Sequence, residues 1–291
     1  MPPSSAERPL AAIAAQFVSF MFISANDVIL KILVAGLPSW QIMGLRSAFG
    51  LVLLIPFIVW QGLHGRGPGV TRRPLAHLFR ALLSAVSIFT YFEALRELDL
   101  PVATSILFVT PFFVVILSAL FLKEKVSANR WIAVAIGFVG AMVVIQPSPS
   151  GISPAAIVAL ASAATWGASM VAIRNLVKTE STLTVILYFN LFICLVATGL
   201  ALPGWVPVPM KTLGVIAAVA AIQLAAQVFM MIAFRFASAS VTAPVQYSQL
   251  IWSVLSGWFV FSVLPGPAVI LGAAIIVASG LYLILSERRA A

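Results

Sequence analysis

Apolar runs of about 17–25 residues, long enough to cross a hydrocarbon core of roughly 30 Å, recur along this chain with short polar breaks between them. The pattern predicts helices at 10–34, 40–60, 76–96, 102–122, 130–147, 154–175, 182–202, 211–234, 241–262 and 267–286. The breaks carry turn chemistry: GLPS at 36–39, GRGPG at 65–69, QPSPSGISP at 146–154, LPGWVPVP at 202–209 and LPGP at 264–267. Because the runs are continuously apolar instead of alternating over about 10 residues, they exclude a β-barrel. The apolar run behind MPPSSAERPL continues past the length of a signal-peptide core, so it reads as a retained first helix.

Composition agrees with the pattern. The chain is 62% hydrophobic and 9% charged, against roughly 45–50% and about 25% in soluble domains. It reads as an all-α integral membrane protein with no room for a soluble domain. The net charge of +9 does not point to nucleic acid, because the basic residues form no amphipathic face and no readout motif. They orient the chain instead. With the N-terminus and Arg8 in the cytoplasm, Arg66, Arg72, Arg73, Arg80, Lys123 and Lys125 all fall on the cytoplasmic side, as do Arg130, Arg174, Lys178, Arg235, Arg288 and Arg289; only Arg96 and Lys211 fall opposite. The expected topology is a multi-pass protein of the bacterial inner membrane with both termini cytoplasmic.

The chain also resembles itself. Residues 17–34 set against 160–177 match at Ser19/Ser162, Ala25/Ala168, Val28/Val171, Leu33/Leu176 and Val34/Val177, with Lys31 opposite Arg174. A second register pairs Ala94 with Ala233 and Arg96 with Arg235. Two halves of five helices follow, and since five is odd the second must enter the membrane from the opposite side. The expected organisation is a cytoplasmic segment at 1–9, repeats at 10–147 and 154–286, and a cytoplasmic tail at 287–291. Together they make ten transmembrane helices in two inverted five-helix repeats around a central cavity.

The segments DLPVATSILFVTPFFVVILSALFLKEKVSANRWIAVAIGFVGAMVVI (99–145) and SASVTAPVQYSQLIWSVLSGWFVFSVLPGPAVILGAAIIVASGLYLIL (238–285) resemble the two EamA repeats of the drug/metabolite transporter superfamily. The resemblance implies a carrier of small metabolites such as amino acids and related compounds, more often an exporter. One departure stands out: the acidic residue at the end of the repeat's fourth helix is present as Glu124, but its place near Val263 in the second half is apolar.

Charges inside apolar helices are costly, so they mark packing or function. Asp27 on the first span and Arg46 on the second both fall roughly 10 Å from the same membrane face at 1.5 Å per residue, so they are expected to pair. Lys31 stands one turn from Asp27, and Glu93 on the third span reaches a similar level. Two acids and two bases would satisfy one another as a fixed network, or meet the charged ends of a zwitterionic substrate at a gate. Asp27 is also the candidate to carry a coupling proton. Polar and aromatic lining is expected from Gln246, Gln249, Ser253 and Ser256, which make one stripe, from Gln223 and Gln227 at i, i+4, and from Tyr91, Phe108, Trp166, Tyr247 and Trp252. The competing reading makes the glutamines glue between helices and turns some aromatics to lipid.

Other classes lack their residues. There is no Walker lysine motif, HExxH or GxSxG, and His64 and His77 are too few for a metal site. Cys194 is the lone cysteine, which excludes an internal disulfide. No cofactor and no enzymatic activity are expected. The partners are a small-molecule substrate, membrane lipids and protons, with a monomer preferred over a dimer. Uptake of a similar metabolite, lipid transport and an intramembrane enzyme are the alternatives.

Overall fold

The computed structural model describes residues 9–63, 71, 73–121, 128–146, 152–176, 179–236 and 248–290, and all regular structure among them is helical. In chain order the helices are α1 (Pro9–Val34), α2 (Ser39–Leu63), α3 (Pro74–Glu97), α4 (Leu100–Leu107), α5 (Thr110–Phe121), α6 (Ala128–Ile145), α7 (Pro154–Leu176), α8 (Thr182–Ala201), α9 (Met210–Phe236), α10 (Ser248–Phe261) and α11 (Pro267–Ala290). The single helix expected at 102–122 is broken after Leu107, and Pro111 gives the reason. Its ring carries no N–H and disfavours helical geometry in the residue before it, so Pro111 opens α5 in its first turn instead of bending a continuous span.

Six helices, α1, α2, α3, α7, α8 and α9, are long and apolar enough to cross a membrane. The apolar stretches described in α4 to α6, α10 and α11 are shorter. Large apolar side chains such as Ile55, Phe57, Val139 and Phe259 lie more than half exposed on the outside of the bundle. A soluble protein would not tolerate so much exposed hydrocarbon, and lipid is its natural solvent. The chain is a multi-pass membrane protein.

The main helix contacts join the first part of the chain to the second: α1 packs on α9, α2 on α8, α3 on α7 and α6 on α11. Polar bonds hold two of these seams. Between α1 and α9, Ser19 Oγ donates to the Ala226 carbonyl at 2.8 Å and Asn26 Nδ2 to Gln223 Oε1 at 2.9 Å. Between α3 and α7, Ser162 Oγ donates to the Ser87 carbonyl at 2.9 Å, and the hydroxyls of Ser84 and Ser169 lie 2.7 Å apart. These two sets coincide in register. The alignment pairing Ser19 with Ser162 also pairs Asn26 with Ser169, and the one pairing Ala94 with Ala233 carries back to Ser84 with Gln223 and Ser87 with Ala226.

Where α6 crosses α11, the backbones meet through Gly140 and Gly272, and a Cβ on Gly272 would stand 2.6 Å from the Gly140 carbonyl oxygen. Close backbone approach through small residues is the usual means of packing helices in lipid. Gly272→Ala is therefore expected to cost about 1–3 kcal/mol by overpacking, read as a lower melting temperature in detergent. Gly214→Ala, where nothing lies within 4 Å, should leave stability within roughly 0.5 kcal/mol.

Candidate functional site

Asp27 is 7% exposed in the middle of the bundle, reached by helices from both parts of the chain. Its Oδ2 accepts a hydrogen bond from Gln249 Nε2 of α10 at 3.2 Å. The Tyr91 hydroxyl of α3 lies close to it, and Thr104 of α4 lies close to that hydroxyl. Neither of these approaches closes into a hydrogen bond: the hydroxyls of Tyr91 and Thr104 are buried with no partner among the described residues, and so is that of Ser24, one turn before Asp27. Arg46 of α2 is 6% exposed and acts on Asp27 through space. The ion pair expected between them does not form, since no Asp27–Arg46 contact within 4.0 Å exists among the described residues. The guanidinium lies instead over the Phe92 ring, 5.8 Å from its centroid.

The rest of the expected charge cluster separates from Asp27. Lys31 turns away and donates to the carbonyls of Leu95 at 3.0 Å and Leu98 at 2.6 Å, where α3 ends and its last carbonyls lack helical partners. Glu93 pairs with Arg96 at 3.1 Å and accepts from Ser39 Oγ, so its partners are the end of its own helix and the start of α2. Arg96 also donates to the Leu37 carbonyl at 2.8 Å. The two acids and two bases thus form a buried Asp27–Arg46 centre and a separate polar rim. At that rim an open depression of about 530 Å³ is lined by Lys31, Ile32, Ala35, Leu95, Arg96 and Phe261, one turn of α1 from Asp27.

The polar stripe divides likewise. Gln249 joins Asp27, whereas Gln246 and Tyr247 lie outside the described residues, as do His64, Glu124 and Pro244. Ser253 is buried and Ser256 half-buried on the same helix. Gln223 bonds to Asn26 and so joins α1 to α9; Gln227 is half-buried and makes no hydrogen bond among the described residues. Among the aromatics, Phe108 is not lining: it is 1% exposed within an apolar cluster that includes Val109, Phe112 and Ile276. Trp252 packs on Phe17 with ring centroids 5.7 Å apart, and its buried Nε1 has no partner among the described residues. Trp166 is half-buried on α7.

Three groups escaped the sequence reading. Thr104 is one, a hydroxyl on a short helix that the spacing merged into a longer span. Gln41 is another: fully buried, it donates to the Val206 carbonyl at 2.7 Å and accepts from the Val206 amide at 3.1 Å, clamping the α8–α9 connection. The third is Arg80 with His77, expected at the cytoplasmic surface but buried in α3. No group of three or more His, Cys, Asp or Glu residues suited to a metal ion exists among the described residues.

The EamA-like transporter family model matches this chain twice, over residues 10–146 and 153–286. The chain is 28% identical over 273 residues to the S-adenosylmethionine uptake transporter of Rickettsia conorii, covering 94% of this chain and 92% of that one. It is 31% identical over 247 residues to the riboflavin transporter of Vibrio cholerae, with 84% and 82% covered. It is also 31% identical over 265 residues to the pseudopaline exporter CntI of Pseudomonas aeruginosa, with 90% and 92% covered. One solved crystal structure shares the fold at a TM-score of 0.64 and 20% identity, covering 96% of this chain and 98% of its own.

If Asn26 and Gln223 act as glue, a double-mutant cycle of Asn26→Ala and Gln223→Ala in detergent unfolding should give a coupling of about 0.6 kcal/mol, the average for such bonds in membranes. A coupling near zero would mean that the bond adds nothing to the seam.

Proposed function

Because the chain belongs to the EamA-like transporter family, we propose that it is a ten-helix secondary carrier of the inner membrane, built as two inverted halves, that moves a zwitterionic metabolite such as an amino acid or a related compound. The observation that carries this reading is Asp27 bonded to Gln249. A carboxylate of the first half is held by an amide of the second, with Arg46 buried beside it but not closed onto it. A site shared by two halves is the kind that rocking exposes to one face and then to the other.

The mirrored bonds support two equivalent halves. Ser19, Asn26, Gln223 and Ala226 on one seam stand where Ser162, Ser169, Ser84 and Ser87 stand on the other. The pairing of α1 with α9 and of α3 with α7 exchanges under the same correspondence, and α2 with α8 and α6 with α11 map onto themselves. The site is where the correspondence fails. The position matching Asp27 is Met170, and the one matching Gln249 is Thr110. Seam residues repeat because both seams need the same packing, and a single charged pair follows if one substrate binds at one place.

The chemistry of the centre favours a zwitterion. A buried carboxylate and a buried guanidinium that do not touch each lack a close counter-charge, and an ammonium and a carboxylate on one small molecule would satisfy both. The hydroxyls of Tyr91 and Thr104, without partners among the described residues, offer further hydrogen bonds. The relative that takes up S-adenosylmethionine handles a molecule with an amino acid head group, whereas riboflavin, named for another, has none. Export is the direction proposed from the sequence. Since the relatives include an uptake transporter and an exporter, and a carrier without a fixed energy source runs down whichever gradient it meets, direction is read in the same assay as substrate.

That assay is counterflow in liposomes, with S-adenosylmethionine, amino acids and riboflavin, with and without a pH gradient. Saturable movement of zwitterions is the expected result; movement of riboflavin alone would overturn the substrate class. Asp27→Asn should lower counterflow by at least tenfold, about 1.4 kcal/mol of lost binding, with yield unchanged. Met170→Leu at the corresponding place should leave transport intact.

A further inference from the structure

The end of the bundle opposite the depression holds a second polar cluster, formed by the start of α3 and the turn between α7 and α8. Thr71 Oγ1 donates to Glu180 Oε1 at 2.7 Å and also accepts from the Arg73 amide at 3.0 Å, so one hydroxyl ties the start of α3 to that turn. Glu180 is held in place by its own amide, which donates to the Leu176 carbonyl at 2.9 Å, and the next residue, Ser181, caps α8 through the Thr184 amide at 3.1 Å. His77 is 1% exposed, with Nε2 3.9 Å from Glu180 Oε1 and its ring 5.0 Å from that of Tyr188. One turn further in, Arg80 donates to the Val185 carbonyl at 3.2 Å and lies 4.9 Å over the Phe189 ring. The contacts of Thr71 and His77 with Glu180, of His77 with Tyr188, and of Arg80 with Val185 and Phe189 all join the first half to the second.

The cluster is only partly satisfied. Both ring nitrogens of His77 and Nε of Arg80 are buried without a hydrogen-bond partner among the described residues. A half-satisfied buried network carries a desolvation cost that water would relieve on opening. This suits an element that must close and reopen, because a carrier needs two states of similar free energy. The corresponding places at the other end differ. Under the two registers, His77 matches Ile216, Arg80 matches Val219 and Glu180 matches Leu37, and these three apolar residues are buried in one core cluster.

We infer that Thr71, His77, Arg80 and Glu180 form the gate that closes the arginine-rich end of the carrier, a polar clasp with Glu180 as its pivot and with no polar counterpart at the matching places of the opposite end. The inference rests on the carrier reading, but its test needs no substrate. Ser84 lies one turn inward of Arg80 and its hydroxyl is buried against Ser169. A cysteine there, with Cys194→Ser to remove the native thiol, reports water entry past the clasp through its rate of labelling by a hydrophilic maleimide. Glu180→Ala should raise that rate about tenfold or more, the effect of losing a hydrogen bond to a charged group. Glu180→Gln, which keeps an acceptor for Thr71, should raise it less. The same Glu180→Ala change should leave labelling of Ser19→Cys, in the α1–α9 seam, unchanged. An unaltered rate at Ser84→Cys would overturn the gate, and so would an equal rise at Ser19→Cys, which would mean general loosening of the fold. If the liposome panel moves nothing, the carrier reading fails separately, whatever the labelling shows.

Discussion

A hydroxyl, amide or charge inside hydrocarbon has no water to fall back on, so the protein itself must supply its partner. Much of this molecule's architecture follows from that constraint. The serines of α1, α3 and α7 and the asparagine of α1 would be liabilities on lipid-facing surfaces; here they face one another or a carbonyl across seams that join the early helices to the late ones. Lys31 answers the same need by reaching the unbonded carbonyls at the end of α3. Polar satisfaction therefore does the work of choosing helix neighbours, in a solvent where apolar surfaces alone distinguish little between partners.

The exceptions then become informative. Polar atoms that stay buried and unpaired are costly, and several of those among the described residues gather in two places: Ser24, Tyr91 and Thr104 around Asp27, and His77 and Arg80 at the clasp. Both places lie where helices of the two halves meet, and both break the correspondence between the halves. Packing explains the repeated positions well. It gives no reason for Asp27 to stand opposite Met170, or for Arg80 to stand opposite Val219, in a chain that otherwise repeats its seams. A single substrate site and a polar clasp at one end, as proposed above, would supply that reason.

Much of this was legible without coordinates. Hydropathy marked the six helices long and apolar enough to cross a bilayer, because such a helix must be apolar for about 20 residues, and the register pairing Ser19 with Ser162 marked two seams that polar bonds hold in the structure. The break after Leu107 was legible in principle from Pro111, whose missing N–H and effect on the preceding residue stop a helix; a hydropathy window averages over it. The partners of the charges were not legible. Depth along a helix placed Asp27, Lys31, Arg46 and Glu93 at similar levels, but rotation about the helix axis sends Lys31 toward α3's carbonyls and leaves Glu93 with Arg96.

The sequence by itself determined the solvent and the family, whose pattern occurs twice along the chain, because both depend on composition and on spacing along the chain. The tertiary structure alone decided which polar groups meet: that Gln249 rather than Lys31 touches Asp27, that Gln223 meets Asn26, and that His77 and Arg80 belong to a buried cluster with Glu180. These are contacts between residues dozens to hundreds of positions apart. Nothing in local spacing specifies them, since they depend on how each helix is rotated and tilted against its neighbours, which is settled by the packing of the whole bundle.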